Sequence, residues 1–260
     1  MEDVRLVATD LDGTVIRSDR TISDRTVAAL SRVEASGAHL VLVTGRPPRW
    51  MHEIAEATGH RGLAICANGA LVYDLRTEEV VESCPIETDV LKELIERLRA
   101  TVPDLAFAAE QLSGFVHEEA YRTRDANLRV GELEQLLALP AAKLLAQHRT
   151  IDPDTLLARA RAVVGDLAEV THASNYGLLE ISAAGVSKAS ALAQLCDTLG
   201  VTAGQVLAFG DMPNDLPLLA WAGTSYAVAN AHPDVLAAVD HHTASNDEDG
   251  VALVLEELFG

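Results

Sequence analysis

The chain has 260 residues, 39 acidic and 20 basic, for a formal net charge of −19, and 48% of it is apolar. That apolar share supports a sizeable core and excludes wholesale disorder. The acidity argues against nucleic-acid binding and against adhesion to anionic membranes, yet leaves room for a small phosphorylated substrate, because a bound cation can reverse a local field.

In chain order, Val4 to Ala8 reads as a buried strand, and Ser23 as the N-cap of a helix whose apolar positions are Val27, Leu30 and Val33, with Gly37 at its end. His39 to Val43 is a second strand, a helix runs from Pro48 to Thr58, and Leu63 to Cys66 is a third strand. This βαβαβ rhythm predicts a doubly wound, Rossmann-like α/β core around a parallel sheet. Asn68-Gly69 signals a turn before Ala70–Tyr73 and Val80–Val81, which pair as a hairpin.

The middle of the chain has α+β order. It reads as a helix at Asp89–Ala100, strands at Leu105–Ala109, Gly114–Glu118 and Lys143–Gln147, and a helix opened by Asp152-Pro153. Strands at Glu169–His172 and Leu178–Ile181 follow. Residues 83–183 are therefore expected as an inserted α/β domain, with 1–82 and 184–260 forming the core. From Ser187 the first rhythm resumes. A helix runs to Leu199, followed by a strand at Val206–Phe209, a helix at Asp215–Trp221, a strand at Thr224–Val228, and helices at Pro233–Val239 and Gly250–Leu258.

No apolar run approaches the ~20 residues of a membrane span. Met1-Glu2-Asp3-Val4-Arg5 lacks the basic start of a secretory signal. Cys66, Cys84 and Cys196 read as small buried or half-buried thiols. The expectation is a soluble cytoplasmic protein, a monomer or small homo-oligomer.

In open parallel sheets ligands bind beyond the carboxyl ends of the strands. The first strand ends in Thr9-Asp10-Leu11-Asp12-Gly13-Thr14, the second in Thr44-Gly45-Arg46, and the fourth in Gly210-Asp211-Met212-Pro213-Asn214-Asp215. Four carboxylates in one cleft repel one another unless a cation holds them, and hard oxygen ligands suit Mg²⁺. Lys188, a hydroxyl and free backbone N–H groups supply what a phosphoryl group needs. Asp10 is then placed to attack phosphorus, and Asp12 to protonate the leaving group and later activate water.

Asp10-Leu11-Asp12-Gly13-Thr14, Thr44 in Val43-Thr44-Gly45-Arg46-Pro47, Lys188, and Gly210-Asp211 with Asn214-Asp215 together resemble, in order, the four motifs of the haloacid-dehalogenase-like (HAD) phosphatases. Ala67-Asn68-Gly69-Ala70, Asn230-Ala231 and Ser245 to Val251 resemble the Cof-type, class IIB branch, and the inserted middle sits where that branch carries its α/β cap. The resemblance implies Asp10 as nucleophile and Mg²⁺ ligand, and Asp12 as acid/base with its backbone carbonyl on the metal. It implies Asp211 as a further ligand and Asp215 as support of the metal shell. Thr44, Gly45, Lys188 and Asn214 would hold the phosphoryl group. Ala189 departs from the glycine many relatives have after that lysine.

Plainer readings stand beside these. Asp215 also reads as a helix cap, Arg46 as a surface residue, Asn68-Gly69 as a turn, and Asn246 with the acids after it as a solvated loop that caps the last helix. His241-His242 reads as two surface or half-buried residues, and Trp50 and Trp221 as core or edge packing. Gly185-Val186-Ser187-Lys188-Ala189 nearly spells a hydrolase elbow but lacks the closing Gly and the immediate strand. A phosphoaspartate receiver module would place its lysine last, whereas Asp211 follows Lys188.

The substrate expected is a small phosphorylated metabolite, a sugar phosphate first. Nucleotides, pyridoxal phosphate, or a phosphomutase on the same fold are the alternatives. The polar cap candidates are Glu118, Tyr121, Arg122, Arg124, Asn127, His172, Asn175 and Tyr176.

Overall fold

The structure is a computed structural model and describes residues 4–123, 128–173 and 176–260. Arg124, Asn127 and Asn175, like the N-terminal Met1-Glu2-Asp3, lie outside the described residues. The chain forms two compact units, Met1–Glu82 with Ser187–Gly260, and Ser83–Val186.

The first unit opens with β1 (Leu6–Thr9), α1 (Asp24–Ala35), β2 (His39–Val43), α2 (Met51–Thr58) and β3 (Leu63–Cys66). The hairpin strands β4 (Leu71–Asp74) and β5 (Glu79–Ser83) follow. The second unit contains α3 (Thr88–Thr101), β6 (Ala106–Gln111), β7 (Gly114–His117), β8 (Arg129–Val130), α4 (Leu133–Leu136), β9 (Ala141–Gln147), α5 (Pro153–Val164), β10 (Ala168–Thr171) and β11 (Leu178–Ala183). The chain then returns to the first unit through α6 (Lys188–Leu199), β12 (Val206–Gly210), α7 (Leu216–Trp221), β13 (Thr224–Val228), α8 (Pro233–Ala238), β14 (His241–Thr243) and α9 (Gly250–Phe259).

The first unit's sheet has the order β14-β13-β12-β1-β2-β3-β4-β5. Pairing is parallel from β14 through β3, and β4 turns back antiparallel to β3. The central strands β1 and β12 are buried along their whole length, which explains their unbroken apolar runs. Ser23 caps α1 as expected, its hydroxyl accepting from the Thr26 N–H at 3.0 Å. Thr26, Ala29, Leu30 and Val33 form the buried face, Thr26 taking the place expected of Val27, which is half-buried. Gly200 ends α6 in the left-handed conformation.

In the second unit the sheet order is β10-β11-β9-β6-β7-β8, antiparallel except between β7 and β8. One face carries Phe107, Ala109, Leu144, Ala146, Leu179 and Ile181 against Leu91, Leu94 and Leu98 of α3 and Leu156 and Ala160 of α5. Burying each such leucine contributes ~1.5–3 kcal/mol. The alternate positions Ala108, Leu145 and Leu178 cluster separately with Phe115 and Tyr121. Beside them lies a partly buried ion pair, Lys143 Nζ to Glu180 Oε1 at 3.0 Å. Among the described residues no helix is long and apolar enough to cross a membrane.

Several local readings are corrected. Cys84 is exposed, while Cys66 and Cys196 are buried. Trp50 is exposed, with the Arg49 guanidinium over its ring. His241 and His242, by contrast, are exposed as expected, on an edge strand where His241 stacks on Tyr226. Glu118 is no free hydroxyl partner, since its carboxylate accepts from the Phe107 N–H and pairs with Arg99.

Candidate active site

The strand register brings the motifs to one edge. Thr9 pairs with Leu42 on one side and Phe209 on the other, so the next residues of β1, β2 and β12 emerge together. Asp10 follows β1, Thr44 follows β2 and Asp211 follows β12. Lys188 is the first residue of α6, whose N-cap Ser187 closes a reciprocal capping box with Ser190.

Lys188 is fully buried, and its ammonium donates to Asp10 Oδ1 and to Asp215 Oδ1, each at 2.6 Å. The other oxygen of Asp215 accepts from the backbone N–H groups of Asp211 and Met212, each at 3.1 Å. Asp215 therefore fastens the loop after β12 and does not cap α7, with which it makes no side-chain capping bond. Asp211 accepts from the Thr14 hydroxyl at 3.2 Å. Gly13 sits at φ +84°, and a Cβ there would fall 2.3 Å from Asp211 Oδ2, so only glycine leaves room for this carboxylate.

Carboxylate oxygens of Asp10, Asp211 and Asp215 lie within 4.8 Å of one another, all three residues buried. One lysine among three carboxylates leaves negative charge uncompensated away from water. Burial pushes the Asp10 carboxyl up to about 7, with Lys188 opposing the shift and Asp215 adding to it. Burial, then Asp10 and Asp215, also push Asp211 well above the usual carboxylate range. For Lys188, burial alone would lower the ammonium, and attraction to Asp10 and Asp215 overrides it and holds it above the usual lysine range. A compact set of hard oxygens that cannot all ionise unaided fits a divalent cation of the Mg²⁺ type.

Asp12 stands apart from this cluster. Its side chain is 58% exposed, and both its oxygens accept from the Arg46 guanidinium, at 2.6 and 2.7 Å. Arg46 is thus no idle surface residue, and its guanidinium is held above its ordinary range by the hydrogen bonds to Asp12 against the opposing effect of burial. Thr44 is buried, its hydroxyl accepting from the Arg46 N–H at 3.0 Å, and Gly45 is half-buried beside it. Asn214 is buried and donates from Nδ2 to Asn68 Oδ1 at 3.1 Å.

The segment read as a solvated loop is instead tied to the first motif. Asn246 is buried, donates to the Ile16 carbonyl, and its backbone N–H reaches Asn230 Oδ1, each at 2.9 Å. Asn230 Nδ2 donates to the Gly13 carbonyl at 2.8 Å. Asp247 accepts from the Ser18 hydroxyl and backbone, and Asp249 pairs with Arg17 at 2.7 Å. Apart from the Asn246–Asn230 bond, these contacts bridge more than two hundred residues, so no local pattern announces them.

A doubly wound sheet with an inserted α/β unit, buried carboxylates at its strand ends and a lysine at the start of the helix beside them defines a class of α/β enzyme. Within that class, residues 7–255 match the haloacid dehalogenase-like hydrolases, and the chain belongs to that family. It is 30% identical to the 5-amino-6-(5-phospho-D-ribitylamino)uracil phosphatase YitU of Bacillus subtilis (strain 168), over 98% of this chain and 97% of the relative. It is 27% identical to the pyridoxal phosphate phosphatase YbhA of Escherichia coli (strain K12), over 95% of this chain and 96% of that one. Among solved structures it resembles BT1666 from Bacteroides thetaiotaomicron, of the same superfamily, with a TM-score of 0.83, 24% identity, and coverage of 99% and 96%.

Proposed function

We propose that this chain is a Mg²⁺-dependent phosphatase of small phosphomonoesters, sugar phosphates first, acting through an aspartyl-phosphate on Asp10. The observation that carries the reading is Lys188 between Asp10 and Asp215, with Asp211 alongside, at the carboxyl edge of a parallel sheet. The Asp10 carboxylate attacks phosphorus, the ester P–O bond breaks, and the leaving oxygen takes a proton from Asp12. Water then attacks the acyl phosphate, Asp12 takes its proton, and inorganic phosphate leaves with Asp10 regenerated. Each Asp12 oxygen accepts one hydrogen bond from Arg46 and keeps a second lone pair for the transferred proton. Lys188, Thr44, Gly45 and Asn214 hold the phosphoryl group. Asp10, Asp211 and the Asp12 carbonyl, with Asp215 in support, would hold Mg²⁺, which when bound would supply neutralising charge to the phosphoryl oxygens.

The cation requirement has a pH signature. Asp10 has its folded value raised from the ordinary 3.8 to about 7. In the metal-free protein this group's contribution to stability is full below about 4 and is lost as pH rises through 7. Mg²⁺ must displace that proton, so its affinity rises by about tenfold per pH unit for each proton released. A fixed Mg²⁺ concentration should therefore raise the melting temperature clearly at pH 8 and little at pH 5. An equal shift at both values would contradict the assignment.

The inserted unit is proposed to select the substrate. A second reading, a phosphorylated heterocycle, is favoured by one observation, the mutual packing of Phe115, His117 and Tyr121 with ring centroids 5.9–6.1 Å apart. The YitU and YbhA names are consistent with it, and a ribityl phosphate is also a polyol. Values of kcat/KM over hexose, pentose, nucleoside and pyridoxal phosphates decide between the two. Sugar phosphates should lead by about tenfold, or ~1.4 kcal/mol. An equal lead for a ring-bearing phosphate overturns the sugar reading, and no hydrolysis of any phosphomonoester with Mg²⁺ overturns the phosphatase reading.

A further inference from the structure

The turn after β3 is wound the wrong way for three residues in succession. Ala67, Asn68 and Gly69 have φ of +50°, +59° and +104°, and all three are buried. Only glycine adopts such a backbone freely, with asparagine the most tolerant of the rest. Backbone strain of this kind persists where the surroundings over-determine it. What surrounds this turn is the phosphoryl-binding set.

The Ala67 N–H donates to the Arg46 carbonyl at 2.9 Å and the Asn68 N–H to the Thr44 carbonyl at 3.1 Å. Gly69 lies against the start of α6, where a Cβ would fall 2.2 Å from the Ser187 carbonyl oxygen and 3.2 Å from the Lys188 nitrogen. Asn68 Oδ1 accepts from Asn214 Nδ2 at 3.1 Å, and Asn68 is only 3% exposed. One three-residue turn therefore touches the backbone at Thr44, the backbone at Lys188 and the side chain of Asn214.

We infer that Asn68 is a positioning residue for the phosphoryl pocket, its Oδ1 fixing the Asn214 amide while its left-handed backbone spaces Thr44 from the start of α6. The bond to Asn68 uses one of the two Nδ2 hydrogens of Asn214 and leaves the amide a second donor for a phosphoryl oxygen. Without it, a buried amide whose Oδ1 already finds no partner among the described residues is free to rotate away. The inference rests on the reading of Asn214 as a phosphoryl-holding residue.

Asn68→Gly removes the acceptor while accepting the same φ without strain, so the fold is retained. Asn68→Gly, Asn214→Ala and the double variant are compared by KM, kcat and inhibition by orthovanadate, an analogue of the phosphoryl group in transfer, with melting curves as the control. The expected result is a vanadate inhibition constant and a KM raised about tenfold in each single variant, and a double variant no worse than Asn214→Ala. Such non-additivity is the mark of one residue acting through another. A merely structural role would lower the melting temperature without this coupling. Additive losses, or wild-type vanadate inhibition in Asn68→Gly beside an impaired Asn214→Ala, overturn the inference alone. Wild-type inhibition in Asn214→Ala overturns the reading of Asn214 and the inference with it.

Discussion

Replacing Asp10 by asparagine is expected to remove turnover, by about 10⁴-fold or more, because the amide keeps the shape of the side chain and loses its nucleophilic anion. The fold should survive. Lys188 keeps Asp215 as its partner at 2.6 Å, and the carbonyl oxygen of the new amide can still accept from the ammonium. In metal-free buffer at pH 8 the variant should melt no lower than the wild type. The change removes a charge from a cluster with one lysine for three carboxylates, at a site where burial already raises the Asp10 carboxyl to about 7. Phosphate release and far-ultraviolet circular dichroism on the same sample check both halves. Near-normal turnover would end the covalent reading, and a collapsed spectrum would show that the charge holds the fold.

Lys188→Met should produce the largest loss of stability of any single change at the site. It keeps most of the volume of a fully buried side chain and removes the cation from between two buried carboxylates. Breaking a buried pair in this way costs ~3–5 kcal/mol, since the partners are left charged without compensation. For a chain of this size that corresponds to a melting temperature lower by roughly 10 °C. The loss should be greatest at pH 8 and shrink toward pH 5. Without the lysine that opposes its upward shift, Asp10 sits higher still and relieves the repulsion by taking up a proton. A melting temperature unchanged at pH 8 would mean that the pair carries no net stabilisation.

The core was legible because its strands are short, apolar and regularly punctuated. His39–Val43, Leu63–Cys66 and Thr224–Val228 are strands as the pattern indicates, and Asp10, Thr44 and Asp211 follow strand ends as their spacing implies. Other features lie beyond local pattern. Arg46, beside two prolines, reads as surface until the fold brings Asp12 to its guanidinium from 34 residues away. Asn246 and the acids after it carry the composition of a solvated loop, and only tertiary contact with Ile16, Arg17 and Ser18 buries or pairs them. Asp215 stands where an N-cap would stand, yet the neighbouring Asp211 and Met212 N–H groups and Lys188 claim its oxygens first. The two-residue β8 and four-residue α4 are too short for any periodicity to show.

The central claim is that the phosphoryl group passes through Asp10. Mixing enzyme and Mg²⁺ with excess substrate, quenching in acid within the first turnover, and mapping the peptides by mass spectrometry tests it directly. The account predicts one phosphoryl group on the peptide that contains Asp10, absent from the Asp10→Asn variant. Rapid release of inorganic phosphate in the same samples, with no phosphorylated peptide at any quench time, would contradict it.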